Sequence, residues 1–187
     1  MLDRLLSSTR KLSLWMTWLG GTLIVLSAFL VTLEVFLRKV FNVSLGGADE
    51  ISGYAFGVAT ALALSFALFE RAHIRVDALL GAIPKMLHPF INLIGLLLLT
   101  GFAGVVVVMV WDMVGDTLEN GSRSITPMRV PLAIPQIPWL LGWMFFVFSG
   151  LLIAVVAIRQ YLRGDAAGVQ DLIGVKSLDE QIEDETV

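Results

Sequence analysis

The sequence predicts an all-α integral membrane protein, a four-helix bundle whose N-terminus and C-terminus both lie in the cytoplasm. Three segments, residues 51–69, 90–111 and 138–158, contain no charged residue, and a fourth stays uncharged from Leu12 until Glu34. Each is about as long as the roughly 20 residues that a helix needs to cross a bilayer. Only 16% of the residues are charged, against about a quarter in an ordinary soluble domain. The excess apolar surface must therefore face lipid or other membrane helices.

The spans and their loops account for most of the 187 residues, which leaves no room for a separate soluble domain. The predicted spans are residues 12–36, 51–69, 90–111 and 138–158. They form a single membrane domain over residues 1–163. Residues 164–187 contain seven acidic side chains and one lysine, a composition that predicts a disordered cytoplasmic tail.

The distribution of basic residues predicts the orientation. Nine lysines and arginines fall in the N-terminal segment, the second loop and the tail, whereas four fall in the first and third loops. Cytoplasmic loops carry the excess of positive charge. Tryptophan and tyrosine cluster at the predicted span ends, as expected at a membrane interface. Both signals place the two termini on the cytoplasmic side.

The first span begins after Arg10 and Lys11, and no small-residue cleavage site follows it, so we expect it to remain in the protein. Near its outer end, Glu34 precedes Arg38 by four residues, the favourable order for an ion pair on a helix. An interfacial salt bridge is the simplest interpretation. A proton-coupling carboxylate is the alternative that this position leaves open.

The second span carries two rows of small residues at a spacing of four. One row contains Gly53, Gly57 and Ala61, and Ala59 belongs to the other. Small residues let membrane helices approach closely. We expect Gly53, Gly57 and Ala61 to mediate helix packing, either within this bundle or against another subunit.

The third span continues past its apolar part with Asp112, Asp116 and Glu119 on one face. These residues indicate either a solvated helix end or a docking face for a soluble partner outside the membrane. Four prolines spaced by about four residues follow, and they predict an extended connection before the fourth span. The fourth span is rich in tryptophan and phenylalanine, from which we expect it to face lipid. The proline positions are Pro127, Pro131, Pro135 and Pro138.

Residue types that carry chemistry are sparse. There is no cysteine, no nucleophile–base set and no phosphate-binding loop, and His73 and His88 are too isolated to suggest a metal site. No basic block suggests nucleic acid. No ionisable residue falls near a predicted bilayer midplane, where groups that bind ions or protons usually lie. We therefore expect neither catalysis nor a cofactor in this chain.

Several short motifs resemble the small membrane subunit of tripartite ATP-independent periplasmic (TRAP) transporters, the DctQ-like family. The first is Arg38-Lys39-Val40-Phe41-Asn42, and Glu50 then opens the second span. The most specific is His73-Ile74-Arg75-Val76-Asp77, which Pro84 follows. Ser124 and Pro131 also fit the family's pattern before the fourth span. The chain departs from that pattern at Gly46-Gly47-Ala48 and at Ala63.

The resemblance implies a non-catalytic subunit of a sodium-coupled uptake system in a bacterial inner membrane. In such systems a large membrane subunit carries the substrate and sodium sites, and a periplasmic solute-binding protein captures a carboxylate-bearing solute. The small subunit packs beside the large one. By the same resemblance Arg38, Asn42 and Glu50 order the outer loop. His73, Arg75, Asp77 and Pro84 belong to the inner loop. Two other functions remain open from the residues alone: a self-sufficient proton-coupled carrier that uses Glu34, and a membrane assembly factor unrelated to transport.

Overall fold

A computed structural model describes residues 2–72, 84 and 87–174 of the chain, and these residues form four long helices and one short helix. The helices are α1 (Leu2–Phe41), α2 (Ala48–Phe69), α3 (His88–Asn120), α4 (Ala133–Leu162) and α5 (Ala166–Ile173). The four long helices are long and apolar enough to cross a membrane. The predicted all-helical membrane class is thus confirmed, while the cytoplasmic location of the termini stays a prediction.

The long helices pack in the spatial order α1, α2, α4, α3. Extensive contacts join α1 to α2, α2 to α4 and α4 to α3, whereas α1 touches α4 only slightly. The most apolar segment of α4 is 50% buried, and that of α1 is 11% buried. The expectation that the fourth span faces lipid was therefore wrong, because α4 lies between two neighbours.

One glycine lies at each of the three main helix interfaces. A Cβ atom added to Gly20 of α1 would lie 2.9 Å from the carbonyl oxygen of Ala59 in α2. The Cβ position of Gly142 in α4 is 2.8 Å from the carbonyl carbon of Ala61. Gly150 of α4 likewise approaches the side chain of Thr100 in α3. Close backbone approach of this kind replaces the hydrophobic driving force that lipid removes.

The helices extend beyond the predicted spans because polar residues continue them past the apolar core. The helix α3 runs through Asp112, Asp116 and Glu119 to Asn120. The helix α4 begins at Ala133, so the expected extended connection was wrong over Pro135 and Pro138. Pro135 falls among the first four helical residues, whose amides have no acceptor within the helix. Pro138 removes one internal hydrogen bond.

The first part of the predicted disordered tail is ordered. The Asp165 carboxylate caps α5 by accepting a hydrogen bond from the Gly168 amide at 2.9 Å. Val169 and Ile173 are 0% and 2% exposed, and they join the apolar core shared with α3 and α4. Residues 175–187 lie outside the described part of the chain. The disorder expected from composition was wrong for residues 166–173, where the apolar side chains share one helix face.

Candidate functional site

Glu34 is the centre of the contacts at one end of the α1–α2 pair. Its side chain is almost fully buried. Oε1 accepts hydrogen bonds from Arg38 Nη2 and Ser44 Oγ, each at 2.6 Å, and Oε2 accepts one from the Leu45 amide at 2.7 Å. The predicted ion pair with Arg38 is confirmed. The contacts to Ser44 and Leu45 were not predicted, and they show that Glu34 holds the loop between α1 and α2.

Asn42 explains how the chain turns back toward Glu34. It follows the last residue of α1 with a φ of 53°, a left-handed conformation that asparagine tolerates better than most residues. The next amide, that of Val43, donates to the Leu37 carbonyl at 3.3 Å. The reversal carries Ser44 and Leu45 back onto α1. The left-handed backbone conformation at this position therefore explains why an asparagine is suited to it.

Glu50 forms a second centre, which joins α2 to the loop between α3 and α4. Tyr54 Oη donates to Glu50 Oε1 at 2.7 Å, and Thr126 Oγ1 donates to Glu50 Oε2. Ser124 Oγ lies 2.6 Å from Thr126 Oγ1 and extends the cluster. The Met128 side chain also fills the space beside Gly47, which precedes α2. Glu50 thus ties the start of α2 to the loop between α3 and α4.

The loop between α3 and α4 has a defined backbone of its own. The Ser124 amide donates to the Val130 carbonyl at 2.9 Å, and the Leu132 amide donates to the Ser122 carbonyl at 3.1 Å. At the tip, the Arg129 amide donates to the Thr126 carbonyl at 3.1 Å. The two sides of the loop are therefore held to each other, and Glu50 holds the tip to α2.

Replacing Glu50 by glutamine is expected to release this loop. The glutamine side chain is uncharged and has an NH2 group in place of one acceptor oxygen, so the Tyr54 and Thr126 hydroxyls lose the charge-assisted hydrogen bonds that they donate to the carboxylate. Amide hydrogen exchange at Ser124 and Leu132 should rise several-fold, by the loss of about one hydrogen bond. Asp49→Asn is the matched control, because Asp49 is an exposed neighbouring carboxylate. Equal exchange in both variants would remove the anchoring role.

The opposite end of the bundle has ties of its own. Arg10 Nη2 of α1 donates to Glu70 Oε1 at the end of α2, at 2.7 Å. Asn92 Nδ2 of α3 donates to Gln170 Oε1 of α5 at 3.1 Å. Polar contacts thus join α1 to α2 and α3 to α5 at this end.

Most of the predicted inner-loop motif cannot be placed. His73, Arg75 and Asp77 lie outside the described residues, so their role stays a prediction. Pro84 is exposed, and its carbonyl accepts a hydrogen bond from the Leu87 amide at 2.9 Å, just before α3 begins.

The predicted packing row of α2 divides into two parts. Ala61 is 2% exposed and packs against Gly142. A Cβ atom added to Gly53 or Gly57 would meet no described atom within 4 Å. Gly53 and Phe56 instead line an open groove of about 470 Å³ between α1 and α2. Among the three predicted residues, only Ala61 is brought into the packing of the chain itself.

Asp112, Asp116 and Glu119 lie exposed on the final turns of α3, while Val114 and Thr117 of the same turns are buried. They share an accessible face, as the spacing predicts, and they take no part in the Glu34 or Glu50 clusters. A docking role for this face stays a prediction.

Within residues 2–72, 84 and 87–174, no group of three or more histidine, aspartate or glutamate side chains could hold a metal ion. One end of the bundle contains the loop-fixing contacts of Glu34 and Glu50, and the other end contains polar contacts between helices. Sequence reasoning found Glu34, Arg38 and Glu50 but missed Ser44 and Thr126, since hydroxyl residues in a loop give no signal of which carboxylate they reach.

A known family matches most of the chain. Residues 27–166 match the family model described as tripartite ATP-independent periplasmic transporters, DctQ component. The matched range contains the Glu34 and Glu50 clusters and all of α2, α3 and α4. No curated protein and no solved structure matches the chain.

Proposed function

Because the chain belongs to the DctQ family of tripartite ATP-independent periplasmic transporter components, we propose that it is the non-catalytic small membrane subunit of a sodium-coupled uptake transporter. The transported solute would bear a carboxylate and be delivered by a periplasmic solute-binding protein. The complex would lie in a bacterial inner membrane. In this proposal the chain packs against the large membrane subunit, which holds the sodium and substrate sites, and stabilises it there.

The open groove between α1 and α2 is the observation that carries the proposal. Gly53 and Gly57 have free space where a side chain would be. Glycine inside a helix lowers the stability of the helix by about 1 kcal/mol relative to alanine. On a helix surface that contacts only lipid, no closer packing compensates for this loss. Close approach by a helix of another subunit does benefit from glycine.

The exposure of α1 supports the same interpretation. Its buried residues are small or polar: Thr9, Ser13, Gly20 and Glu34. Its large apolar side chains point away from the rest of the chain, with Phe29 71% exposed and Leu26 59% exposed. Ile24, which lines the groove, is 43% exposed, so α1 is available to an apolar partner at the groove as well.

The alternatives fit less well. A self-sufficient proton-coupled carrier needs a carboxylate free to exchange protons, whereas Glu34 is occupied by Arg38, Ser44 and Leu45. An assembly factor unrelated to transport predicts a membrane partner that is not a carrier. Purification of the tagged chain from its native membrane, with mass spectrometry of the co-purified proteins, distinguishes the transporter subunit from the two alternative functions. A stoichiometric large polytopic subunit supports the proposal.

Gly57 lies one helical turn from the groove residue Gly53, and Gly57→Leu tests this face of α2 within that experiment. The space at the Gly57 Cβ position is open in the isolated chain, so the variant should fold and be expressed like the unmodified protein. In the complex, the leucine side chain would occupy the space into which a helix of the large subunit packs. We expect recovery of the large subunit to fall at least several-fold. Val105→Leu is the control, since Val105 is 59% exposed on α3 and does not line the groove. Unchanged recovery with Gly57→Leu would contradict the proposed interface.

A further inference from the structure

A cavity of about 210 Å³ lies where the end of α4 meets the start of α1. Its volume is several times the roughly 30 Å³ that one water molecule occupies in the liquid, so it can hold a small polar group. Polar side chains dominate its wall: Asp3, Arg159, Gln160, Arg163 and Asp165. None of them takes part in the Glu34 or Glu50 clusters.

The position of the cavity along α4 places it at a membrane interface. The uncharged run of α4 ends at Ile158, and Arg159 follows directly. Tyr161 is 43% exposed, and tyrosine favours the level of the lipid headgroups. The cavity therefore opens where α4 leaves the hydrocarbon.

Two arginines give the cavity an anion-binding wall. Arg159 and Arg163 are separated by one helical turn, so they lie on the same face of α4. Both are exposed, and neither forms an ion pair within the described part of the chain. Guanidinium groups bind phosphate oxygens through paired N–H donors. The spacing suits one phosphate held by two arginines.

The opposite wall carries negative charge. Asp3 is exposed and makes no ion pair among the described residues. Asp165 also lines the cavity and accepts one hydrogen bond from the Gly168 amide, so its carboxylate keeps its charge and further acceptor positions. Two cations and two anions around a single cavity fit a ligand that carries both a phosphate and a cationic group.

Gln160 adds an acceptor at the same place. Its amide oxygen is buried and has no hydrogen-bond partner among the described atoms. An unsatisfied buried acceptor is unfavourable. Because Gln160 lines the cavity, an N–H-bearing ligand offers a donor next to a group that the protein leaves unpaired.

We propose that this cavity binds the headgroup of a phosphatidylethanolamine-type phospholipid. The phosphate contacts Arg159 and Arg163, and the ammonium contacts Asp3. The acyl chains follow the exposed apolar row that leads to Arg159, where Val155 is 52% exposed and Leu151 is 53% exposed. These residues share the i, i+4 row of Arg159 on α4.

Lipid binding by the purified full-length chain tests the assignment. Native mass spectrometry of delipidated protein would compare phosphatidylethanolamine with phosphatidylcholine, which keeps the phosphate but has no N–H donor, and with phosphatidylglycerol. We expect phosphatidylethanolamine to be retained about tenfold better than phosphatidylcholine, because its ammonium group can donate a charge-assisted hydrogen bond to Asp3 and a trimethylammonium group cannot. Equal retention, or a preference for phosphatidylglycerol, would overturn the assignment.

Single substitutions test whether the lipid binds at this cavity. Arg159→Gln and Arg163→Gln should weaken the binding of all three lipids. Asp3→Asn should lower only the preference for phosphatidylethanolamine over phosphatidylcholine, because Asp165 keeps one carboxylate at the cavity. Lys11→Gln is the control, a basic residue of α1 outside the cavity wall. All these side chains are exposed, so the melting temperature should not change. Identical retention by Arg159→Gln and Lys11→Gln contradicts the site.

A soluble competitor distinguishes a lipid from a free phosphate compound. Millimolar phosphoethanolamine or inorganic phosphate should not displace the bound lipid, because neither has acyl chains to contact α4. Displacement by either compound at this concentration would show that the site takes a free phosphate compound, and the lipid assignment would then be wrong.

Discussion

Replacing Gly142 by leucine is expected to separate α2 from α4 and to leave the chain largely misfolded. The Cβ position of Gly142 is 2.8 Å from the carbonyl carbon of Ala61, so even the first added carbon meets backbone that cannot rotate away. Overpacking in a well-packed core typically costs about 1–3 kcal/mol. We expect the free energy of unfolding to fall by an amount at or above the top of that range, because α4 also packs against α3 and α5.

The measurement is thermal unfolding in detergent, followed by tryptophan fluorescence and by the monodisperse fraction on size exclusion. Gly104→Leu is the control, because the Cβ position of Gly104 on α3 has open space among the described residues. Gly142→Ala should fall between the two, since it adds only the Cβ atom. A normal melting temperature for Gly142→Leu would mean that the α2–α4 interface is not as close as the structure shows.

Replacing Glu34 by alanine is expected to free the loop between α1 and α2. The change removes the acceptor for Arg38, Ser44 and Leu45 at once, and no other described contact holds the Leu45 amide. Hydrogen exchange at Leu45 should rise by roughly tenfold or more, as expected for the loss of a charge-assisted hydrogen bond. Arg38→Gln should have a milder effect, because Ser44 and Leu45 would still be held.

The same residue separates the proposed function from the carrier alternative. If Glu34 couples protons, Glu34→Gln should abolish proton-coupled transport by this chain alone in proteoliposomes. If Glu34 is a loop anchor, the unmodified chain alone should show no transport, and Glu34→Gln should change only the exchange at Leu45. Transport by the isolated chain would refute the subunit proposal.

The membrane class was predictable because an apolar run of about 20 residues without any charge is typical of a bilayer-spanning helix and rare in soluble domains. The ends of the helices were not predictable, since Asp112 and Asp116 are compatible with both a helix and a loop once the chain has left the hydrocarbon. Pro135 shows the same limit, because proline ends a helix in its interior and is harmless in its first turn. The absence of charge over a segment identifies a membrane span, whereas the backbone hydrogen bonds determine the residue at which its helix ends.

Helix packing was predicted in part. Ala59 and Ala61 belong to the two small-residue rows of α2, and each meets a glycine of a different neighbour. The partners Gly20 and Gly142 were not identified, because neither belongs to a row of small residues at a spacing of four. The error about α4 has a related cause. Lipid is as apolar as leucine, so bulk and hydrophobicity do not distinguish a lipid-facing helix from a central one.

The loop contacts were the least predictable part of the candidate site. Glu34 and Arg38 are four residues apart on one helix, and local spacing predicts their ion pair. Ser44 is ten residues from Glu34, and Thr126 is 76 residues from Glu50. Both contacts depend on the path of a loop, for which the spacing of residue types carries no information.

The spatial order of the helices has a consequence for biogenesis. The α1–α2 hairpin is fastened at one end by Glu34 and at the other by the Arg10–Glu70 pair, so it can assemble as soon as both helices leave the ribosome. The third helix has its main contacts with α4 and α5, both of which are synthesised later. A chain interrupted after Asn120 would therefore place a finished hairpin and an unattached helix side by side in the bilayer, and assembly of the subunit waits for the arrival of α4.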